Sequence, residues 1–432
     1  MGGRGGTLYG LCVSERRGGA AKELVRVPVI VQKFGGTSLA DAARVHLGAR
    51  RAIRALLNGY QVVLVTSAMG RTTDHLLKLA RDVSRNPAKR EMDMLLATGE
   101  QVSIALMAMA IQEAGYEAIS LTGAQVGLLT DSAHTEARIQ SIDTGRLRRV
   151  LATGKIVIVA GFQGVDRDFN ITTLGRGGSD TTAVALAAAL GAQTCEIYTD
   201  VDGVYSADPR VVPEARKVDA ITYDEMLELA SLGARVMHAR AIEVGKKHNV
   251  PIHVRSSITD NPGTVIMSET PGMEDVLVRG ATLKREITRV MLYGLPRDPA
   301  ATATVFAQVG EHQVSVDDII QSPDAGGGIT LGFTVQGRPA AELRALAEGL
   351  VAQLKLERFE LEADLARLSI VGVGMRSHHG VAARLFQALA AEGIRLEGVT
   401  TSEIVISALV PAADSDRALR SVHRAFSLQQ KG

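Results

Sequence analysis

Val29-Ile-Val-Gln-Lys-Phe-Gly-Gly-Thr-Ser38 is the stretch that decides the fold of this chain. A β-branched run ends in a lysine and two glycines, and an alanine-rich amphipathic stretch over 40–57 follows at once. Strand, tight glycine turn and helix in that order open a parallel α/β unit. The pattern then recurs. Strands are predicted at 29–33, 62–66, 118–121, 156–160, 194–199 and 252–255, and helices at 40–57, 97–114, 181–190 and 223–248. Such alternation predicts a mostly parallel sheet with helices on both faces, a three-layer α/β/α arrangement. Its ligands would sit just beyond the carboxyl ends of the strands.

Beyond Asn261-Pro-Gly and Thr270-Pro-Gly the rhythm changes. Strand, helix, strand, strand, helix is expected over 287–295, from 300, 314–321, 329–335 and from 339. The same order returns over 368–373, 381–392, 394–401, 404–410 and 414–426. These are two consecutive βαββα-like units of about 70 residues each, an internal repeat of structure. The expected boundaries are a tail at 1–28, a first domain at 29–270, a linker at 271–285, and two small domains at 286–362 and 363–432. The tail, Gly/Arg-rich and without periodicity, reads as disordered or as the product of an upstream start codon.

A length of 432 residues accommodates two or three domains at very roughly 150 residues each. Forty-eight basic side chains against 47 acidic ones leave no global field for a polyanion, so nucleic-acid binding is not expected. No apolar run approaches the roughly 18 residues of a membrane span. Cys12 and Cys195 exclude a disulfide framework and suit a reducing cytoplasm. Cys195, inside an apolar strand, reads as core.

The residues with chemistry follow the strands. Lys33 with Gly35, Gly36 and Thr37 lets backbone approach an anion while the lysine supplies a point charge. It is neither a Walker P-loop nor a G-x-G-x-x-G fingerprint. Leu174-Gly-Arg-Gly-Gly-Ser-Asp-Thr-Thr182 is a second such loop; Arg176 between glycines suits a bidentate grip on a carboxylate. Ser179 and Asp180 are open to a plain helix-capping role as well. Ser67 and Thr73 lie in Ser67-Ala-Met-Gly-Arg-Thr-Thr-Asp74, at the end of the second strand, as ligand contacts or caps. Glu100 is expected in the first turn of a helix, where an acid also favours the dipole. Thr199, Asp200, Tyr205 and Arg210 fall in a third loop suited to framing a nucleotide. Asp200 and Asp202 lack the twelfth-position glutamate of a calcium loop. No histidine or cysteine pattern signals a tight transition-metal site, and His378-His379 reads as a solvated turn.

Taken together, KFGGTS, SAMG-x-TTD, ATGEQ, LGRGGSDTTA, YTDVDGVYSADPR and TSEIVIS occur in an order that resembles the aspartokinases of the amino-acid-kinase superfamily, from Val29 to about Leu428. The resemblance implies a kinase domain followed by two ACT domains, small regulatory modules of βαββαβ type that bind amino acids. It implies phosphorylation of the L-aspartate side chain by ATP to 4-phospho-L-aspartate, ahead of lysine, threonine, methionine and diaminopimelate. Lys33, Gly35, Gly36 and Thr37 then fall at the ATP phosphates, with Thr199, Asp200, Tyr205 and Arg210 on the nucleotide side. Ser67, Thr73, Glu100, Arg176, Ser179 and Asp180 fall on the aspartate side, Arg176 at the α-carboxylate and Glu100 at the α-ammonium. Lys33, Glu100 and Asp180 form the catalytic set; Mg²⁺ arrives with ATP rather than in a protein cage.

Two departures stand out. Arg235 occupies a position where the family commonly has lysine for ATP. In the first ACT domain, Arg297 and Ala300 stand where the family reads Asp and Gly of D-x-P-G. Gln321 is retained as an effector contact, and Met375, Thr401 and Ser402 complete the expected effector set. Feedback by lysine and/or threonine is the expectation, with reduced sensitivity as its rival. ACT pairing implies a homodimer, or long and short chains with an internal start at Met273. A kinase for another small acid and a catalytically silent amino-acid sensor are the alternative functions.

Overall fold

The computed structural model describes residues 27–234, 236–270, 277–324, 326–376 and 378–429. Arg235, Met273, Cys12 and the rest of the tail up to residue 26 lie outside the described residues. The chain forms two compact units. One holds residues up to Val204, Lys217–Ala230 and Arg235–Pro271; the other holds Tyr205–Arg216, Ser231–Ala234 and everything from Gly272.

In the first unit, the buried runs become an eight-stranded sheet. Its order is Ala220–Thr222, Thr264–Met267, Ile252–Ser256, Thr194–Thr199, Val29–Phe34, Gln61–Thr66, Ile156–Ala160 and Ala118–Leu121. Every neighbouring pair is parallel except Ile252–Ser256 with Thr264–Met267. Val62–Val65 and Ile156–Ala160 are wholly buried, as continuous apolar strands covered on both faces must be. Helices Ala42–Leu57 and Lys89–Glu113 pack on the face of Ile30, Phe34, Leu64 and Ile158. Helix Gly178–Leu190 packs against the same central strands and sends Asp180 to Lys33, which points away from that face. This is the expected α/β/α layering. From Val29–Phe34 the chain moves to one side of the sheet, and from Thr194–Thr199 to the other. The crevice between those two strands is therefore the topological switch point.

Three local expectations change. The helix expected from 97 begins at Lys89, so Thr98-Gly99 is interior rather than a start; a side chain at Gly99 would meet Ala68 Cβ at 2.8 Å. By length and composition this helix alone among the described ones is able to cross a membrane, yet 56% of its apolar window is buried in the unit. The helix expected over 223–248 is two, Tyr223–Ser231 and Ala239–His248. Gly233 between them has φ +123°, and a Cβ there would lie 2.5 Å from the Leu283 carbonyl. A further sheet of Ile139–Ile142, Leu128–Thr130, Gln163–Val165 and Ile171–Thr173 escapes sequence reading because strands of three or four residues show no period.

The second unit carries one antiparallel six-stranded sheet, ordered Val316–Pro323, Ile329–Gln336, Gly280–Leu295, Arg358–Val371, Val405–Pro411 and Gly398–Thr401. The two ACT-type repeats are thus joined edge to edge, not consecutive and separate. Residues 280–284, placed by sequence in a linker, pair with 367–371 and give the second repeat its last strand. The two long strands turn at matching points: Glu286 and Asp364 are both left-handed, with φ 59° and 58°. Ile287 then pairs with Leu365, and these two with Leu409 form a small core of their own. Two residues further on in each strand stands an arginine. Arg289 pairs with Glu362 at 2.5 Å and Glu397 at 3.6 Å; buried Arg367 pairs with Asp318 and, at 3.7 Å, Asp317. Each arginine so ties its strand to the start of the other repeat's edge strand.

Ile287 is the hinge of this arrangement. Ile287→Ala is expected to cost about 2–5 kcal/mol in the unfolding of the second unit, read from urea titration of the full chain. A loss within experimental error would mean that the joint is not a packed core.

Candidate active site

Lys33 sits at the penultimate position of the central strand, paired in register with Val65 on one side and Ile197 on the other. Its Nζ lies 2.5 Å from Asp180 Oδ1, and both side chains are nearly excluded from solvent. A buried ion pair of this kind is costly to break, because removing one partner strands the other charge. Gly35 follows: its N–H donates to Tyr198 O at 3.2 Å, and a Cβ on it would lie 3.5 Å from the lysine ammonium. A Cβ on Gly36 would lie 2.8 Å from Ala68 O, so this glycine is needed for closeness, its φ being an ordinary −58°. Thr37 opens a short 3-10 turn, Thr37–Leu39. The α-helix begins only at Ala42, capped by the Asp41 side chain. The glycine loop therefore does not run straight into a helix N-terminus, as the sequence suggested.

The second loop is shaped by two left-handed glycines, Gly175 at φ +75° and Gly177 at φ +70°, on either side of Arg176. Arg176 is exposed and has neither a hydrogen bond nor an ion pair among the described residues. Helix Gly178–Leu190 starts here with no side-chain cap, so capping does not explain Ser179 or Asp180. Ser179 is buried, and a Cβ on Gly161 would meet its Cβ and Oγ at 2.8 Å. Gly161 N–H also donates to Thr66 O at 3.0 Å. The ends of two strands and the helix start are thereby drawn together around a missing side chain.

Glu100 is not a first-turn residue. It lies midway along Lys89–Glu113, buried, and its Oε1 accepts the Ala68 N–H at 3.0 Å. Oε2 has no hydrogen-bond partner among the described residues. Burial pushes its pKa up to about 7 against the opposing pull of the Ala68 N–H. A carboxylate half-satisfied in this way suits a cationic group brought by a ligand. Thr66 Oγ1, just before Ser67 and Ala68, is likewise buried without a partner among the described residues. Half-buried Ser67 donates its N–H to Phe34 O, and half-buried Thr73 lies in the first turn of helix Thr72–Val83.

Thr199 ends the strand beside Lys33; its hydroxyl donates to Asp200 at 3.1 Å and its carbonyl accepts from Ser257 N–H at 2.8 Å. Tyr205 and Arg210 belong to the second unit. There Tyr205 packs against the core of the second repeat, and the exposed Arg210 is held by Asp208 at 2.7 Å. Cys195 is buried in its strand and burial pushes its thiol pKa up, as befits core. Of the effector set, exposed Arg297 reaches Gly328 O at 3.4 Å. Ala300 N–H donates to the capping carboxylate of Asp298. Gln321 is exposed on one edge strand, and Thr401 and Ser402 are exposed at the end of the other. Met375 packs against the core of the second repeat. Sequence reading missed Thr66, the Ala68 N–H, Gly161 and Ser257, because a backbone group or a space-making glycine bears no chemical signature.

This arrangement matches known proteins over nearly its whole length. The Amino acid kinase family pattern matches residues 28–256 and an ACT domain pattern matches 368–426. The chain is 50% identical over 402 residues to Aspartokinase 2 of Bacillus subtilis (strain 168), covering 93% of this chain and 98% of that one. Among solved structures, E. coli aspartokinase III in complex with aspartate and ADP (R-state) superposes with TM-score 0.75 at 26% identity. That match covers 92% of this chain and 99% of the other. The same enzyme in complex with lysine and aspartate (T-state) gives TM-score 0.74 at 26% identity, again over 92% and 99%.

Gly161 allows a direct check of the packing. Gly161→Ala is expected to cost about 1–3 kcal/mol, by forcing the start of helix Gly178–Leu190 off the strand ends. Thermal unfolding of the full chain reads it, and an unshifted midpoint would show that the approach is looser than described.

Proposed function

This chain belongs to the aspartokinases of the amino acid kinase family, and from that membership we propose that it makes 4-phospho-L-aspartate from L-aspartate and MgATP. The product would feed the formation of lysine, threonine, methionine and diaminopimelate. The observation that carries the reading is the buried Lys33–Asp180 pair at the switch point, beside the glycine loop. The attacking group is a carboxylate, already ionised near neutrality given an ordinary pKa of about 3.9. No general base is required; alignment and neutralisation of charge are. Lys33 and the N–H groups of Gly36 and Thr37 neutralise the transferring phosphoryl group, the Gly35 N–H being held by Tyr198 O. Mg²⁺ brought by the nucleotide supplies further positive charge at the phosphates. Among the described residues no three His, Cys, Asp or Glu side chains gather into a cage.

At the other substrate, Arg176 takes the α-carboxylate through paired N–H bonds. Glu100 takes the α-ammonium, with Ser67, Thr73 and Ser179 around it and Asp180 holding Lys33. Thr199 and Asp200 frame the nucleotide; Tyr205, Arg210 and Arg235 are kept as nucleotide contacts on the resemblance alone. The ACT pair serves as the regulatory part, taking lysine and/or threonine with Gln321, Met375, Thr401 and Ser402 among its contacts. A homodimer or an assembly of long and short chains follows from ACT pairing. A cytoplasmic setting agrees with an unpaired, buried Cys195. Glu100 Oε2 and the exposed Arg176, both without a partner among the described residues, favour an amino-acid substrate over a silent scaffold, which has no use for either.

Trapping the acyl phosphate as its hydroxamate tests the reaction. Lys33→Ala is expected to lower kcat about 100-fold or more; hydroxamate formation that survives the change would reject the role of Lys33. Glu100 gives a pH signature. Its raised pKa keeps the empty site partly protonated below about 7, while the α-ammonium needs the carboxylate. Thus kcat/KM for aspartate should fall about tenfold per pH unit below that point and be flat above it. Glu100→Gln should raise KM and flatten the profile; an unchanged profile would free Glu100 from this role. For the regulatory sites, Arg297→Asp with Ala300→Gly is expected to lower the inhibitory concentration of lysine plus threonine about tenfold. An unmoved inhibition curve would separate those two positions from effector binding.

A further inference from the structure

Asp93 is fully buried on helix Lys89–Glu113, two turns before Glu100 on the same helix face. None of the roles assigned above uses it. Three groups converge on its carboxylate: His134 Nδ1 at 2.7 Å, the Thr173 hydroxyl at 2.5 Å, and the Thr135 N–H, 3.1 Å from both oxygens. Thr135 is left-handed, φ 74°, a conformation that costs a β-branched residue roughly 1–2 kcal/mol and must be held from outside. Its carbonyl lies 3.1 Å from where a Cβ on Gly175 would be, so the turn abuts the residue just before Arg176. Two further links join the same pieces. Ala137 N–H donates to Thr173 O at 2.9 Å, and the Arg240 guanidinium clips Leu174 O at 2.9 Å and Ala137 O at 2.8 Å. Turn 134–137 and loop 173–177 are therefore one body, and the Asp93 carboxylate is its anchor on the helix.

We propose that Asp93 is a positioning residue for substrate selection: it fixes the backbone from which Arg176 reaches the α-carboxylate, at a set distance from Glu100. The helix then acts as a gauge. One buried acid meets the ammonium directly, and the other, about 10 Å along the axis, sets the arginine that meets the carboxylate. This rests on the reading of Arg176 as the carboxylate grip, and the test separates the two.

Steady-state kinetics of the full chain with MgATP compare Asp93→Asn, Arg176→Ala and the double variant. Asp93→Asn is expected to raise KM for aspartate about tenfold, leave KM for ATP within about twofold and change kcat less. In the Arg176→Ala background it should add almost nothing, since both act through one contact. Equal rises in both KM values, or full additivity with Arg176→Ala, would reduce Asp93 to a merely structural residue and overturn the proposal. If Arg176→Ala raises KM and Asp93→Asn does not, the proposal alone fails; if Arg176→Ala changes nothing, the carboxylate grip fails and the proposal with it. Should Asp93→Asn not fold, His134→Leu replaces it, with the same expected KM rise. His134→Gln, which keeps a donor, should recover most of the loss, and a His134→Leu enzyme with unaltered KM for aspartate would also overturn the proposal.

Discussion

A lysine ammonium held out of water on the central strand of a parallel sheet is the constraint on which the rest depends. Such a charge is tolerated only with a counterion in contact, and Asp180 supplies it at 2.5 Å from the first turn of a helix. To bring that helix so close, the strand Ile156–Ala160, two places away in the sheet, must be followed by a residue without a side chain, Gly161, because Ser179 occupies the space. To let Lys33 face open backbone, the two residues after Phe34 must be glycines, Gly35 beside the ammonium and Gly36 against Ala68 O. Sheet order then does the rest: the chain leaves Val29–Phe34 in one direction and Thr194–Thr199 in the other, so the crevice opens where the charge sits.

Two carboxylates in this unit show how environment divides labour. Asp180 is neutralised within the chain by Lys33. Glu100 is buried with one oxygen satisfied by a single N–H and the other without a partner among the described residues, and burial raises its pKa to about 7. The first arrangement holds a cation ready for an anionic ligand; the second holds an unmet need for a cationic one. A site with both demands suits an amino acid and a polyphosphate together, and its chemistry asks for no proton to be removed from the nucleophile.

Much of this was legible in the chain. β-Branched runs marked the parallel sheet, and the glycine pair beyond Phe34 and the glycines on either side of Arg176 marked the ligand-facing turns, because only special backbone needs put glycines there. Where reading failed, the cause was contact between distant parts. Thr98-Gly99 looked like a helix start, but Gly99 is interior because Ala68 presses on it. The 223–248 helix breaks at Gly233 because a carbonyl 50 residues later approaches it. The repeats of the second unit were visible as an order of elements, yet their interlocking was not. It turns on Glu286 and Asp364, left-handed without being glycine, and on cross-strand pairs such as Ile287 with Leu365. Asp93 drew no notice in sequence, since its three partners come together only in the folded turn.

The central claim is that this site passes a phosphoryl group to a carboxylate that is already an anion. Aspartate carrying heavy oxygen in its side-chain carboxylate tests it most directly. The acyl phosphate is trapped with hydroxylamine, which attacks carbon, and the released phosphate is weighed by mass spectrometry. The account predicts one heavy oxygen in each phosphate released, the bridging atom contributed by the attacking carboxylate. Unlabelled phosphate would contradict it, because the phosphoryl group would then have gone to water.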